Sequence, residues 1–181
     1  MERDRFSLTN RGKDVGKRAL EPVDQLGRAY NNSTRIFQAI KQTTTQLTTT
    51  SYADIITWDT LDPDNIIDSS HFSFNYTTGV LTILKKGIYE INLSTVCITA
   101  AFSRSDVLTR MQVNKSGAGY SVPNTAEYNT YGPRNAINSN NSTNLGPFYL
   151  SLLPNDLIKF QIATVGIQVY ARARINIRRI R

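Results

Sequence analysis

Arg172, Arg174 and Arg178 in the closing stretch "VYARARINIRRIR" fall on one side of an extended chain, because side chains alternate along a strand. Each guanidinium carries five N–H donors in a planar fork that matches the two oxygens of a phosphate or a carboxylate. Val169, Ala171, Ala173, Ile175 and Ile177 fall on the other side, so this strand is half core and half arginine. Water, the carboxylates of a neighbouring subunit and the phosphates of a nucleic acid are the three partners such a face could meet. Contacts with phosphates would carry no base-sequence preference.

The charge balance extends that reading to the other terminus. Residues 1–41 hold nine Lys/Arg against five Asp/Glu, residues 42–169 hold seven against nine, and residues 170–181 hold five against none. Basic ends on a slightly acidic body suit a polyanion, since Lys and Arg displace the counterions condensed on it. Arg11, Lys13, Lys17 and Arg18 therefore join the three strand arginines as candidate phosphate contacts. Solubility, or ion pairs with a neighbouring subunit, is the plainer account.

Catalytic chemistry has little support. His71 in "DSSHFSF" is the only histidine, and a lone histidine without a thiol or a second imidazole does not make a metal site. Asp62, Asp64 and Asp68 in "TLDPDNIID" offer hard oxygens, but their spacing is not that of a calcium loop and reads as turn chemistry. There is no glycine-rich phosphate loop and no nucleophile elbow. Cys97, the single cysteine, excludes an intrachain disulfide framework and reads as a small buried apolar residue. The expectation is a protein that is not an enzyme and uses no metal and no cofactor. Tyr120, Tyr128 and Tyr131 lie in a stretch rich in Asn, Ser and Gly, a composition suited to adaptable contact surfaces. They read either as subunit-interface or receptor contacts, or as rings that pack their loop onto the domain.

The elements that must position these residues divide the chain at about residue 50. Residues 1–50 read as a basic arm and linker without sustained apolar period, extended or partly helical. Within it, Ser33 or Thr34 could cap a short helix carrying Ile36, Phe37, Ile40 and Leu47. Such an arm should be dispensable for folding, so that residues from about 54 onward fold alone. Residues 51–181 read as all-β, with about eight strands. "FSFNYTTGVLTIL" reads as a hairpin turning at Thr78-Gly79, and "IYEINLSTVCITA" as a long strand. "VLTRMQVN" is another strand, "LPND" turns between two more, and the arginine strand closes the set. Residues 116–144 read mostly as loops. No apolar run approaches the roughly 18 residues of a spanning helix. The charged N-terminus does not read as a secretory signal. A sandwich or jelly roll is the natural product of this pattern.

"FNYTTGVLTILKKGIYEINLSTV" resembles the central signature of the C1q/tumour-necrosis-factor-like jelly roll. The matching features are Phe74 or Tyr76, the Thr78-Gly79 turn, the short apolar strand Val80 to Leu84, and Gly87 with Tyr89 opening a long strand. "IITWDT" is similar to the family's first strand, with Trp58 in the aromatic position. "LPNDLIKFQI" is similar to its late strand, with Asn155-Asp156 where members usually carry Gly-Asp. The resemblance implies a sandwich of eight to ten strands that trimerises about a threefold axis and serves binding or structural roles. Collagen-like triplets are absent, and a basic arm before a jelly roll resembles capsid proteins of small viruses. The expected function is therefore a virion structural protein, made in the host cytoplasm. It would be a capsid subunit that clusters by threes within an icosahedral shell and touches packaged nucleic acid. A trimeric spike or receptor-binding head anchored by residues 1–50, with a host receptor as partner, is the alternative. A non-viral C1q/TNF-like binding module is the second alternative.

Overall fold

The computed structural model describes residues 35–47, 51–99, 106–123, 127–131, 140–165 and 169–181. These form twelve strands and no helix among the described residues. They are β1 (Ile36–Leu47), β2 (Ala53–Asp54), β3 (Ile66–Ile67), β4 (Phe72–Asn75), β5 (Val80–Ile83), β6 (Gly87–Thr99), β7 (Asp106–Asn114), β8 (Tyr120–Ser121), β9 (Glu127–Tyr131), β10 (Asn140–Leu152), β11 (Leu157–Val165) and β12 (Val169–Arg179). One sheet runs β10-β6-β12-β1-β3. The other runs β4-β5-β11-β7-β8, with β2 paired to β11 and β9 to β7. Every pairing is antiparallel. The count exceeds eight because β3 and β8 are two residues long, too short for an alternating pattern to register, and because β1 and β9 lie in stretches expected to be an arm and a loop.

The largest departure from expectation is β1. Where the sequence suggested a helix in a dispensable arm, Ile36–Leu47 is a strand paired with β12 from Ile36↔Arg178 to Leu47↔Val169 and with β3 on its other side. Isoleucine and threonine are stiff at χ1 and favour this extended state. The apolar period was obscured by two residues. Lys41 follows Phe37 and Ala39 on the inward face, with its stem buried and its ammonium donating to Thr57 O at 2.9 Å. Burial lowers its pKa, and the nearby Asp59 partly opposes that. Ile40 faces the other way but is covered by the loop of residues 59–65, where Asp59 N donates to Ile40 O and Asn65 Oδ1 accepts from Ile40 N. Buried apolar residues thus occur on both faces and imitate a helical stripe.

Between the sheets, Tyr89, Phe72, Phe37, Phe74 and Trp58 form a chain of tilted and edge-on rings with centroids 5.0–5.9 Å apart. Ile91, Leu93 and Cys97 of β6, Met111 and Val113 of β7, Ile158, Phe160 and Ile162 of β11, and Ile175 and Ile177 of β12 fill the remainder. Cys97 is buried as expected, and burial pushes its thiol up to about 12. Trp58 lies in this core, but "IITWDT" is not the first strand. It is a connection after β2 with Thr57 at φ 57°, pinned by Trp58 Nε1 donating to Ile55 O at 2.8 Å and Trp58 N donating to Tyr76 O at 2.8 Å. Gly79, at φ 69°, passes directly beneath it. A Cβ there would overlap Ile55 O and press on the indole, so the Thr78-Gly79 turn and Trp58 form one packed unit.

The "LPND" turn is knit as tightly. Asn155 has φ 71°, a conformation that glycine and asparagine tolerate best. Asp156 is buried. Its carboxylate accepts from Leu153 N at 2.8 Å and from Ser116 N at 3.0 Å, joining this turn to the one after β7. Asp156→Ala leaves both amides without acceptors and should cost about 2–3 kcal/mol. The loss would read as a lower urea midpoint at unchanged slope, with Asp156→Asn losing less.

Residues 116–144, expected to be mostly loop, contain β8, β9 and the start of β10. β10 is an edge strand, and its register against β6 shifts between Leu145 and Phe148. Gly146 and Pro147 sit in that irregularity, where an absent N–H costs no ladder bond. The turn reading of the aspartates agrees with the structure. Asp62 Oδ1 accepts from Asp64 N at 2.9 Å, and Asp68 Oδ1 from Ser70 N at 3.0 Å.

Candidate functional site

β12 is the middle strand of the five-stranded sheet, so its two faces meet different worlds. Ala173, Ile175 and Ile177 point into the core, and Arg172, Arg174 and Arg178 are exposed on the outer face. The ladder fixes their neighbours. Arg178 lies opposite Glu90 of β6 and Ile36 of β1, Asn176 opposite Asn92 and Gln38, Arg174 opposite Ser94 and Ile40, and Arg172 opposite Val96.

The three arginines are not equivalent. Arg178 donates from Nη2 at 2.7 Å and from Nε at 3.1 Å to the same oxygen, Oε2 of Glu90. The guanidinium pKa is raised by this hydrogen bond and by the carboxylate's charge. An exposed pair of this kind adds little stability. It does neutralise the position, so Arg178 brings no net charge to a partner. Arg172 and Arg174 have no ion-pair partner among the described residues, and they line a depression of about 300 Å³ with Gln42, Asp64, Ser94 and Val96. The sequence did not single out Glu90. It is the only acid in the β6 strand, a signal in itself, but its pairing depends on a register that one strand cannot reveal.

The same outer face has a second character at its other end. Ile66, Ile88, Tyr149 and Ile180 are large apolar side chains left exposed, and the alternation of β3, β6, β10 and β12 brings them to this side around the neutralised Glu90–Arg178 pair. Tyr149 lies opposite Glu90, Ile66 lies opposite Gln38, and Ile180 N donates to Ile88 O at 2.8 Å. Between the two ends sits a polar band of Asn92, Asn176, Ser94 and Asn144 around a recess of about 390 Å³ beside the Gly146 irregularity. The face is therefore graded, with an apolar end, a neutral polar band and a cationic end.

Arg179 takes another role. It donates from Nη2 to Lys86 O at 2.7 Å, from Nε to Arg181 O at 3.1 Å, and approaches His71 Nε2 with Nη1 at 3.3 Å. His71 Nδ1 lies 2.8 Å from Asp68 Oδ2. Burial pushes the Asp68 carboxyl up, and the Ser70 hydroxyl and amide together with His71 more than offset this, leaving it below its usual range. His71 thus ties the end of β12 to the start of β4. No group of three metal-ligating side chains occurs among the described residues.

Tyr120 lies on β8, at the outer face of the seven-stranded sheet, away from the arginines. Its ring sits under the Lys159 ammonium, 4.4 Å from the centroid. Tyr128 and Tyr131 belong to β9, registered with Thr109 and Asp106 of β7; their side chains lie outside the described residues, as do Arg11, Lys13, Lys17 and Arg18 altogether.

No family model and no curated protein matches this sequence. Solved structures do match its fold. The globular domain of zebrafish complement 1qA protein superposes with a TM-score of 0.56 at 17% identity, over 81% of this chain and 98% of that one. The Eiger TNF of S. frugiperda superposes with a TM-score of 0.56 at 10% identity, over 81% of this chain and 94% of that one. The chain therefore has the jelly-roll fold of the C1q and tumour-necrosis-factor domains.

Proposed function

We propose that this protein is a self-assembling structural subunit, without enzymatic activity, that clusters about a threefold axis through the outer face of its five-stranded sheet. The observation that carries this reading is the asymmetry of the two sheets. The outer face of the seven-stranded sheet carries Ser73, Asn75, Thr82 and Gln112, a set of Arg110, Gln161, Lys159 and Asp54 that bond one another, and Val80, Leu157 and Tyr120. The five-stranded sheet instead exposes Ile66, Ile88, Tyr149 and Ile180 beside an ion pair that carries no net charge. Apolar side chains gathered around a neutralised pair form the kind of surface whose burial against another copy is favourable. The shell of a virion is the setting we assign, on the strength of the basic N-terminal residues. Negative-stain microscopy of the full chain tests this. Closed particles of uniform size support a shell subunit, isolated trimers support a spike head, and dispersed monomers overturn the assembly reading.

The cationic end of the same face supports a second role, contact with nucleic-acid phosphates through Arg172 and Arg174. Both are exposed and without ion-pair partners among the described residues, so their charge is available to a polyanion. Replacing both with glutamine should leave assembly intact and weaken binding to a single-stranded oligonucleotide. Each lost phosphate contact should flatten the dependence of log affinity on log salt by about 0.7. Replacing Arg178 and Glu90 together with glutamine, which removes a pair without net charge, should change the slope far less. Equal slopes for parent and double variant would remove the strand arginines from this role.

A further inference from the structure

A trough of about 800 Å³ crosses the outer face of the seven-stranded sheet, on the side of the sandwich away from the assembly face. The hairpin from Ser73 to Thr78 walls one side and Tyr120 the other, with Val80, Thr82 and Leu157 across the floor. The register explains why these meet. Ser73 lies opposite Thr82, Thr82 opposite Leu157, Leu157 opposite Asn114, and Asn114 opposite Tyr120, one row across the sheet.

The lining has a definite chemistry. It contains no Asp, Glu, Lys, Arg or His. The nearest ion pair, Lys159 with Asp54 at 3.0 Å, is closed on itself. The hydroxyls of Ser73, Thr77, Thr78 and Thr82 have no protein partner among the described residues. Asn75 spends its carbonyl oxygen on Thr77 N and Thr78 N, each at 3.0 Å, which leaves its NH₂ group free to donate. Two tyrosine rings complete the walls, and both are held. Tyr76 packs edge-on against Phe74 at 5.0 Å, and the Lys159 ammonium caps the Tyr120 ring. Burial raises both phenols above their ordinary pKa, with Asp54 adding to the effect at Tyr120, so both remain neutral O–H groups.

Uncharged donors and acceptors between braced aromatic rings suit a ligand with many hydroxyls and apolar C–H faces. A charged ligand would find no counter-charge here to repay its desolvation. We propose that this trough binds a neutral saccharide, with Tyr76 and Tyr120 as its aromatic walls and Ser73, Asn75 and Thr82 as hydrogen-bonding partners. The site lies on the opposite sheet from the assembly face, so it is independent of the assembly reading and would remain open in an oligomer.

The test is saturation-transfer NMR on the full chain with three neutral probes, maltotetraose, N-acetylchitotetraose and N-acetyllactosamine. A sulfated disaccharide serves as the charged control. At least one neutral probe should receive saturation. Tyr120→Ala should weaken its binding about tenfold or more, and Thr82→Val, which keeps shape and removes the hydroxyl, by a smaller factor of about three to ten. The Arg172→Gln/Arg174→Gln protein should bind the neutral probe as the parent does. Tyr120 is partly exposed and Thr82→Val is nearly isosteric, so at least one of the two variants keeps the fold. Absence of transfer from all three probes at about 10 mM would overturn the proposal, that concentration being far weaker than any specific site. So would binding that both variants leave unchanged, or binding confined to the sulfated control.

Discussion

Deleting residues 1–50 should abolish the fold. The deletion removes β1, whose Phe37 and Ala39 are fully buried and whose backbone pairs with both β12 and β3. Phe37 touches the rings of Phe72 and Phe74, with centroids 5.9 and 5.0 Å away. Phe37→Ala alone should cost about 3–5 kcal/mol, a large share of the roughly 5–15 kcal/mol that holds a domain together. Losing the whole strand also leaves β12 with an open edge of unpaired N–H and C=O groups in the middle of what was a sheet. Ending the deletion at residue 34 instead keeps all twelve strands. Trp58, the only tryptophan, is buried in the ring cluster and reports both cases by its emission. The longer deletion should show the red-shifted emission of a solvated indole and no cooperative urea transition; the shorter one should match the parent. Native emission and a cooperative transition after removal of residues 1–50 would mean that β1 is not an integral strand of the sandwich.

Replacing Ile88 and Tyr149 together with lysine should dissociate the assembly while leaving the subunit folded. Both side chains are exposed in the single chain, 37% and 60% respectively, so their loss costs the monomer little. In an assembled particle the same positions would hold two ammonium groups in a buried apolar contact, without partners and at the cost of several kcal/mol per subunit. The expected result is a change in elution volume to that of one chain, with an unchanged circular dichroism spectrum and urea midpoint. The corresponding pair on the other sheet, Thr82→Lys with Gln112→Lys, should leave the elution volume as it was. An unchanged elution volume for the Ile88/Tyr149 protein would exclude this end of the face from the contact.

The legibility of these features differed residue by residue. β12 could be read because nothing interrupts its alternation, and Ala173, Ile175 and Ile177 are buried while Arg172 and Arg174 are not. β1 could not, because Lys41 points inward and Ile40 outward, an inversion that only the covering loop of residues 59–65 makes tolerable. The start of β10 was hidden ahead of Gly146 and Pro147, which signal a turn in sequence but sit in an irregularity of an edge strand. The Thr78-Gly79 and "LPND" turns were legible because backbone conformation constrains residue type directly, at φ 69° for Gly79 and 71° for Asn155. The arginine face was visible as composition. That Arg178 is neutralised by Glu90, and that Tyr120 belongs to the opposite sheet, are consequences of register and topology, which pair residues 88 positions apart in the first case. Single-strand periodicity holds no information at that range.

The central claim is that this jelly roll assembles through its five-stranded sheet, and the solution mass of the full chain tests it most directly. Multi-angle light scattering over a dilution series, at physiological salt, should give three times the 20.3 kDa of one chain, or a larger multiple of three. The Ile88→Lys/Tyr149→Lys protein, measured beside it, should give 20.3 kDa at every concentration. A parent protein that remains at the mass of one chain across the whole series would contradict the account.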